Sequence, residues 1–161
     1  MKKQYSFLSK WQIAAPVEEV WDLIYHSENW SSWWEDVKEV KELATGSDDG
    51  LGSVRRYRLA SPMLYTLEFD LLLTDFRKYE LLKGEASGQL QGSGAWHFYQ
   101  QGAICVVECH WNVSTTIAWM NAVAFLLAPV FRYNHDRVMK RGEASIKRKL
   151  ALKQDSSFHP S

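Results

Sequence analysis

The chain has 161 residues, 46% of them apolar, and 19 basic against 19 acidic side chains, which suits one domain with enough apolar chain for a core. Zero net charge argues against a nucleic-acid partner, which selects for a basic excess. The longest apolar run, Ile117 to Phe131, holds Asn121 and Pro129 and is too short to span a bilayer, and the lysine-bearing N-terminus lacks a signal-peptide core, so the expectation is a cytoplasmic protein.

In chain order, Tyr5 to Ile13 alternates, with Tyr5, Phe7, Trp11 and Ile13 on one face, the pattern of a half-buried strand. Pro16 opens a short helix, PVEEVWDLIYH, with acids early and His26 late. ENWSSWW predicts a second short helix or turn, and Val37 to Leu43 a strand. Thr45 to Gly52 is a turn by composition. Strands are predicted over Ser53 to Ala60, Tyr65 to Phe76, Tyr79 to Ala86, Gln89 to Gln100 and Gly102 to Ser114, with Pro62 separating the first two.

For the last hairpin, a two-residue turn at Gln101-Gly102 sets Phe98 opposite Cys105, Trp96 opposite Val107, Gly94 opposite Cys109 and Gly92 opposite Trp111. His97, Ala95 and Ser93 then share the other face with Val106, Glu108 and His110. The same exercise mixes the faces of the preceding hairpins, so a bulge or longer turn must intervene and the direction of Glu85 stays open. Cys105 and Cys109, four apart on one strand, would be roughly 13 Å from each other, too far for a disulfide, and read as small buried hydrophobes.

Ile117 to Leu152 predicts a long helix. Thr115 and Thr116 offer N-cap hydroxyls, and Met120, Val123, Leu127, Val130, Asn134 and Val138 recur at helical spacing, continued by Ile146 and Leu150. Pro129 predicts a kink or break near Ala128. The second half is basic, which suits the negative end of the helix dipole; beyond a solvated helix end, its one alternative use is weak contact with an anionic membrane surface. The boundaries are a single domain over residues 1–153 and a disordered tail over 154–161.

Several strings carry a resemblance. WQIAAPVEEVWDLI and NWSSWWEDVKEV resemble the opening of the polyketide cyclase/dehydrase-like branch of the START and birch-pollen-allergen superfamily (SRPBCC). GQLQGSGAWHF and WNVSTTIAWMN are similar to its last two strands, and APVFRYNHDRVMKRGEASIKRKL to its closing helix. The resemblance spans Trp11 to Leu150. It implies an α+β helix-grip fold: a curved antiparallel sheet of about seven strands wrapped around a long C-terminal helix, with two short helices after the first strand. The fold hosts lipid carriers, receptors, cyclases and co-chaperones alike.

Catalytic signatures are mostly missing: no phosphate loop, HExxH, nucleophile elbow or metal-spaced Cys/His cluster. In the register above, His97 and His110 lie four positions out of line, too far apart to share a metal. No cofactor or metal is expected. The eight tryptophans suggest an aromatic-walled hollow between sheet and helix, with Trp33, Trp34, Trp96, Trp111 and Trp119 as walls. Phe69, Phe131 and Val138 complete the candidate lining. Asn134, His135 and Tyr57 are the polar groups that would orient a guest; the alternative for the first two is core hydrogen bonding. Arg55 shares a strand face with Tyr57, which makes it a candidate anchor for a ligand carboxylate, but it reads first as a solvated arginine; Glu68 and Asp70 read as surface charges. The leading expectation is a non-catalytic binder of a small hydrophobic molecule, aromatic, polyketide or lipid-like. The alternatives are an aromatase/cyclase- or dehydratase-type enzyme with His135 as general acid or base, and a protein-interaction module. Oligomeric state is not addressed by the sequence.

Overall fold

The computed structural model describes residues 3–60 and 66–156. Its elements are β1 (Gln4–Ile13), α1 (Val17–Tyr25), a 3-10 helix (Ser27–Ser32), β2 (Val37–Ala44), β3 (Val54–Ala60), β4 (Thr66–Arg77), β5 (Leu81–Gly88), β6 (Leu90–Gln101), β7 (Ile104–Thr115), α2 (Ala118–Ala122) and α3 (Ala124–Ser156). The seven strands form one antiparallel sheet in the order β1-β7-β6-β5-β4-β3-β2. Each neighbour except β1–β7 is a hairpin partner, so the chain meanders and then closes by laying its last strand beside its first. The curved sheet and the long α3 make the helix-grip arrangement. The candidate strand start at Tyr65 and the separator Pro62 lie outside the described residues.

Alternation decides which faces are buried. Tyr5, Trp11 and Ile13 of β1 point inward, as do Tyr57 of β3, Phe69 of β4 and Leu82 of β5. In β7 the inward Cys105, Val107, Cys109 and Val113 continue the layer, and Ile146 and Leu150 of α3 close on it. Both cysteines are free thiols.

The last hairpin keeps its expected faces but moves by two residues. Gln101 pairs with Ile104, and the turn is Gly102-Ala103. Gly102 takes a φ of 58°, at the first turn position where a primed turn favours glycine. Phe98 therefore faces Val107, Trp96 faces Cys109, and Gly94, not Gly92, faces Trp111. A Cβ on Gly94 would overlap the Trp111 ring, so the missing side chain there is what seats the indole. On the other face His97 now pairs with Glu108 and Ala95 with His110. The two histidines come within 5.2 Å between ring centroids; they are diagonal neighbours rather than four positions apart. In the β4–β5 pair a bulge lies between Leu73 and Asp75. It accounts for the mixed faces of that hairpin and leaves Glu85 exposed. Tyr79 sits in the intervening turn with a φ of 66°, so β5 begins at Leu81 rather than at Tyr79.

The helix also departs from expectation. Its break falls at Val123, between α2 and α3, not near Ala128. Proline at 129 removes one bond to the carbonyl of Phe125, which lies on the exposed side where water can replace it. The side chain of Asn121 instead bonds the Thr115 carbonyl at 2.8 Å and holds α2 against the end of β7. Thr115 does accept the Ile117 N–H at 3.1 Å, but the Thr116 hydroxyl turns to the Gly88 carbonyl. Val123 is exposed, and Ala124 takes its place on the buried face. The helix runs on to Ser156, so residues 154–156 belong to it rather than to a tail.

One cluster fixes the C-terminal half of α3. Gly142 lies where a Cβ would meet the Trp34 and Trp11 rings at 2.5 and 2.9 Å. The Trp34 indole donates to the Val138 carbonyl at 3.2 Å. Arg141 pairs with Glu35 and, at 3.2 Å, with Asp36, and Glu143 accepts the Gln12 N–H at 3.1 Å. The helix is pressed onto the sheet here. Toward its N-terminus Phe131 and His135 rest on Tyr5 and Phe7 of β1, and with Asn134 they line a gap between helix and sheet that is the candidate site.

Candidate functional site

The gap is a cavity of about 260 Å³, partly open to solvent, at the lower end of small-molecule pockets. Trp34, Tyr57, Phe69, Trp96, Trp111, Phe131, Asn134, His135 and Val138 line it. Trp33 and Trp119 do not. Trp34 takes the inward position and Trp33 stacks on it at 5.7 Å between centroids. Met120 is buried beside Thr115, which leaves Trp119, its neighbour in the helix, 59% exposed.

The aromatic walls brace one another. Trp30 packs against Trp34, Tyr57 and Trp96 at 5.2, 5.6 and 6.0 Å. Trp11 meets Trp34 and Trp96 edge-on at 5.5 and 5.3 Å. Tyr57 stacks on Phe69, which tilts against Trp111. Rings held in such offset and edge contacts have few alternative rotamers, so the hollow is bounded by stiff walls rather than by side chains free to collapse into it.

Polar groups gather mainly at two places, although Lys83 of β5 and Thr115 of β7 also border the cavity. On the β3 side the Tyr57 hydroxyl lies 2.7 Å from Ser27 Oγ. Burial holds its phenol above the ordinary pKa, against the opposing effects of the Ser27 bond and the Arg55 charge, so it is a neutral donor. Arg55 is not solvated. It donates to Ser27 Oγ and to the Tyr25 carbonyl, each at 3.0 Å, and pairs with Glu28 at 3.2 Å and Glu42 at 3.6 Å. It ties the 3-10 helix to β3 and borders the cavity. Its neighbours differ: Arg56 forks onto Asp70 at 2.7 and 2.9 Å, and Arg58 reaches Glu39 and Glu68 on the surface.

On the helix side Asn134 is buried and His135 nearly so. The imidazole lies flat on Phe7, 4.3 Å between centroids. Burial lowers its pKa below the ordinary 6.5, outweighing Asp136, whose carboxylate lies 3.6 Å from Nδ1. Below pH 6.5 the unfolded chain's imidazole takes a proton that the folded one refuses until lower pH. Unfolding then binds protons, and stability falls with acid. His135→Gln is expected to flatten part of that loss below pH 6.5; the burial-lowered His97 supplies more of the same sign. Melting temperatures across that range read the effect, and identical slopes in the two proteins would mean the ring is not held neutral.

Cys109 also borders the cavity. Burial pushes its thiol up to about 12, so it offers no thiolate at neutral pH. Among the described residues no group of three or more His, Cys, Asp or Glu side chains could hold a metal ion, and no helix is long and apolar enough to cross a membrane. Sequence reasoning missed Tyr5, Phe7, Ser27 and Trp30 as lining residues. The first two were legible in principle, since the alternation of β1 already placed them on the buried face. Ser27 carries no signal of its own; it is brought to Tyr57 only by the fold.

Solved structures with the same fold include a START superfamily protein from Mycobacterium smegmatis, 10% identical with a TM-score of 0.74, covering 91% of this chain and 97% of that one. The Zhui aromatase/cyclase from a Streptomyces species is 14% identical with a TM-score of 0.65, covering 92% of this chain and 96% of that one. The di-domain aromatase/cyclase BexL is 16% identical with a TM-score of 0.71; the match covers 90% of this chain and 49% of BexL, which is about twice as long. No curated protein matches by sequence. The signature of one family does, across residues 6–151. On that match, nearly the length of the chain, the protein belongs to the polyketide cyclase / dehydrase and lipid transport family.

Proposed function

We propose that the protein binds a small hydrophobic molecule, aromatic, polyketide-like or lipid-like, in the cavity between the sheet and α3. The observation that carries this reading is the hollow itself: about 260 Å³ of space walled mainly by braced aromatic and aliphatic side chains, with few polar groups among them. Burial of the guest's apolar surface supplies most of the affinity. Tyr57 on one side and Asn134 with His135 on the other orient it through one or two hydrogen bonds. A cavity with so few polar groups suits a largely apolar guest that carries one or two hydrogen-bonding groups.

The second reading is a cyclase or dehydratase acting on a polyketide-like substrate. It is favoured by a neutral imidazole bordering the same cavity and by the aromatase/cyclases among the structural neighbours. His135 would then move a proton as general base or acid. Native mass spectrometry of protein purified from its own host tests the first reading: the expected result is a retained apolar compound. Failure to retain any compound, together with no binding of an aromatic probe such as anilinonaphthalene sulfonate, would sink it. Turnover of a poly-ketone that disappears in His135→Ala would establish the second instead.

A further inference from the structure

The N-terminal end of the C-terminal helical segment is apolar on both sides. Its inner side lines the cavity through Met120 and Phe131, with the polar Asn134 and His135 about one turn further along. Its outer side exposes Phe125 by 85%, Leu126 by 70%, Tyr133 by 62% and Trp119 by 59%. A helix apolar all round is normally covered all round, and a contiguous exposed patch of large apolar rings marks a binding surface. The outer face then changes character along one line. Leu126, Pro129, Tyr133, Arg137 and Lys140 follow at steps of three and four, apolar first and cationic beyond, with Arg132 exposed beside them. From Glu108 to Asp136 the chain carries no other carboxylate. On the strands beside Thr116, Glu68 and Asp70 are neutralised by Arg58 and Arg56.

We infer that this face docks on an anionic lipid surface. The occupant is chosen by the charge order. Leu126 to Tyr133 spans roughly 10 Å of helix at about 1.5 Å per residue, so an end-first approach brings the apolar tip to the membrane before the cationic residues. Arg137 and Lys140 then fall at the level of the phosphates, and exposed Trp and Tyr suit the boundary between tails and water. A protein partner would need no cationic collar following an apolar tip. The docked end is also the wall of the cavity, so a guest could pass between bilayer and cavity without crossing water; that consequence rests on the ligand-binding reading, whereas the docking itself does not.

The test is co-sedimentation of the full chain with vesicles of phosphatidylcholine and phosphatidylglycerol in a roughly 3:1 ratio. Binding is expected, weaker to phosphatidylcholine alone and weakened by salt. Phe125→Asp with Leu126→Asp should lower the partition coefficient by about 10- to 100-fold. Leu8→Asp, an exposed position on the outer face of β1, should leave it unchanged. Should the double variant fold poorly, brominated lipid offers a second reading, in which quenching of the wild-type fluorescence is lost in Trp119→Phe. Equal binding by wild type and the double variant overturns the proposal. So does absence of vesicle binding, and so does concentration-dependent self-association in place of it, since the face would then cover a second copy. Docking that survives while no small molecule is retained leaves this inference standing and removes only the ligand reading.

Discussion

Replacing Trp34 with alanine is expected to cost about 3–5 kcal/mol, the range for deleting a fully enclosed large side chain. Trp34 is 3% exposed and touches Trp11, Trp30 and Trp33. Its ring also fills the space that Gly142 leaves open on α3, and its indole N–H is bonded to the Val138 carbonyl. The change therefore empties the space beside Gly142, where the helix approaches the core closely. At about 2–4 °C per kcal/mol for a chain of this size, the melting temperature should fall by roughly 6–20 °C. Trp33→Ala provides the contrast. Trp33 is only half-buried and its indole nitrogen has no hydrogen-bond partner, so its loss should cost about 1 kcal/mol. Thermal unfolding of the two variants side by side decides the matter. If Trp33 proved the more costly residue, the clamp would have been assigned to the wrong indole.

Filling the cavity should separate binding from folding. Leu71 on β4 points inward and lines the hollow, whereas Leu72 beside it points to the opposite face and is 38% exposed. Leu71→Trp places an indole in space a guest would occupy. Its stability should remain within about 1 kcal/mol of wild type, because the ring enters a void rather than a packed layer. Affinity for anilinonaphthalene sulfonate should fall by about 100-fold, equivalent to about 2.7 kcal/mol at ~1.4 kcal/mol per tenfold. Leu72→Trp should change neither quantity. Fluorescence titration of the three proteins gives the comparison. Undiminished binding in Leu71→Trp would place the probe somewhere other than this hollow.

The site joins two mechanical features that oppose each other. At one end of α3, Gly142 lets the helix come close, and the Arg141 ion pairs and the Trp34 hydrogen bond hold it there. At the other, Phe131 and His135 meet the sheet only at Tyr5 and Phe7 of β1, and the inward tryptophans are engaged with other rings rather than with the helix. A cavity survives because its walls cannot relax independently.

Much of this was legible in the residues. The alternation of Tyr5 to Ile13, the proline-led α1, the strand succession and the basic amphipathic end of α3 are local patterns, and local periodicity reports which face is buried whatever the partner. Of the eleven candidate site residues, nine border the cavity, and Trp33 and Trp119 do not. Pairwise register was not legible. A shift of two residues preserves every face, so the hydrophobic pattern could not distinguish Gly102-Ala103 from Gln101-Gly102 as the turn. Trp33 and Trp34 were equally aromatic neighbours, and only the position of Gly142, more than a hundred residues away in the chain, selects which one points inward. Arg55 read as solvated because its partners Glu28, Glu42 and Ser27 come from segments that periodicity treats separately. Sequence by itself thus determined the element types, their buried faces and the family. The tertiary structure alone decided which rings bound the hollow and where the helix breaks, because both depend on contacts between segments far apart in the chain.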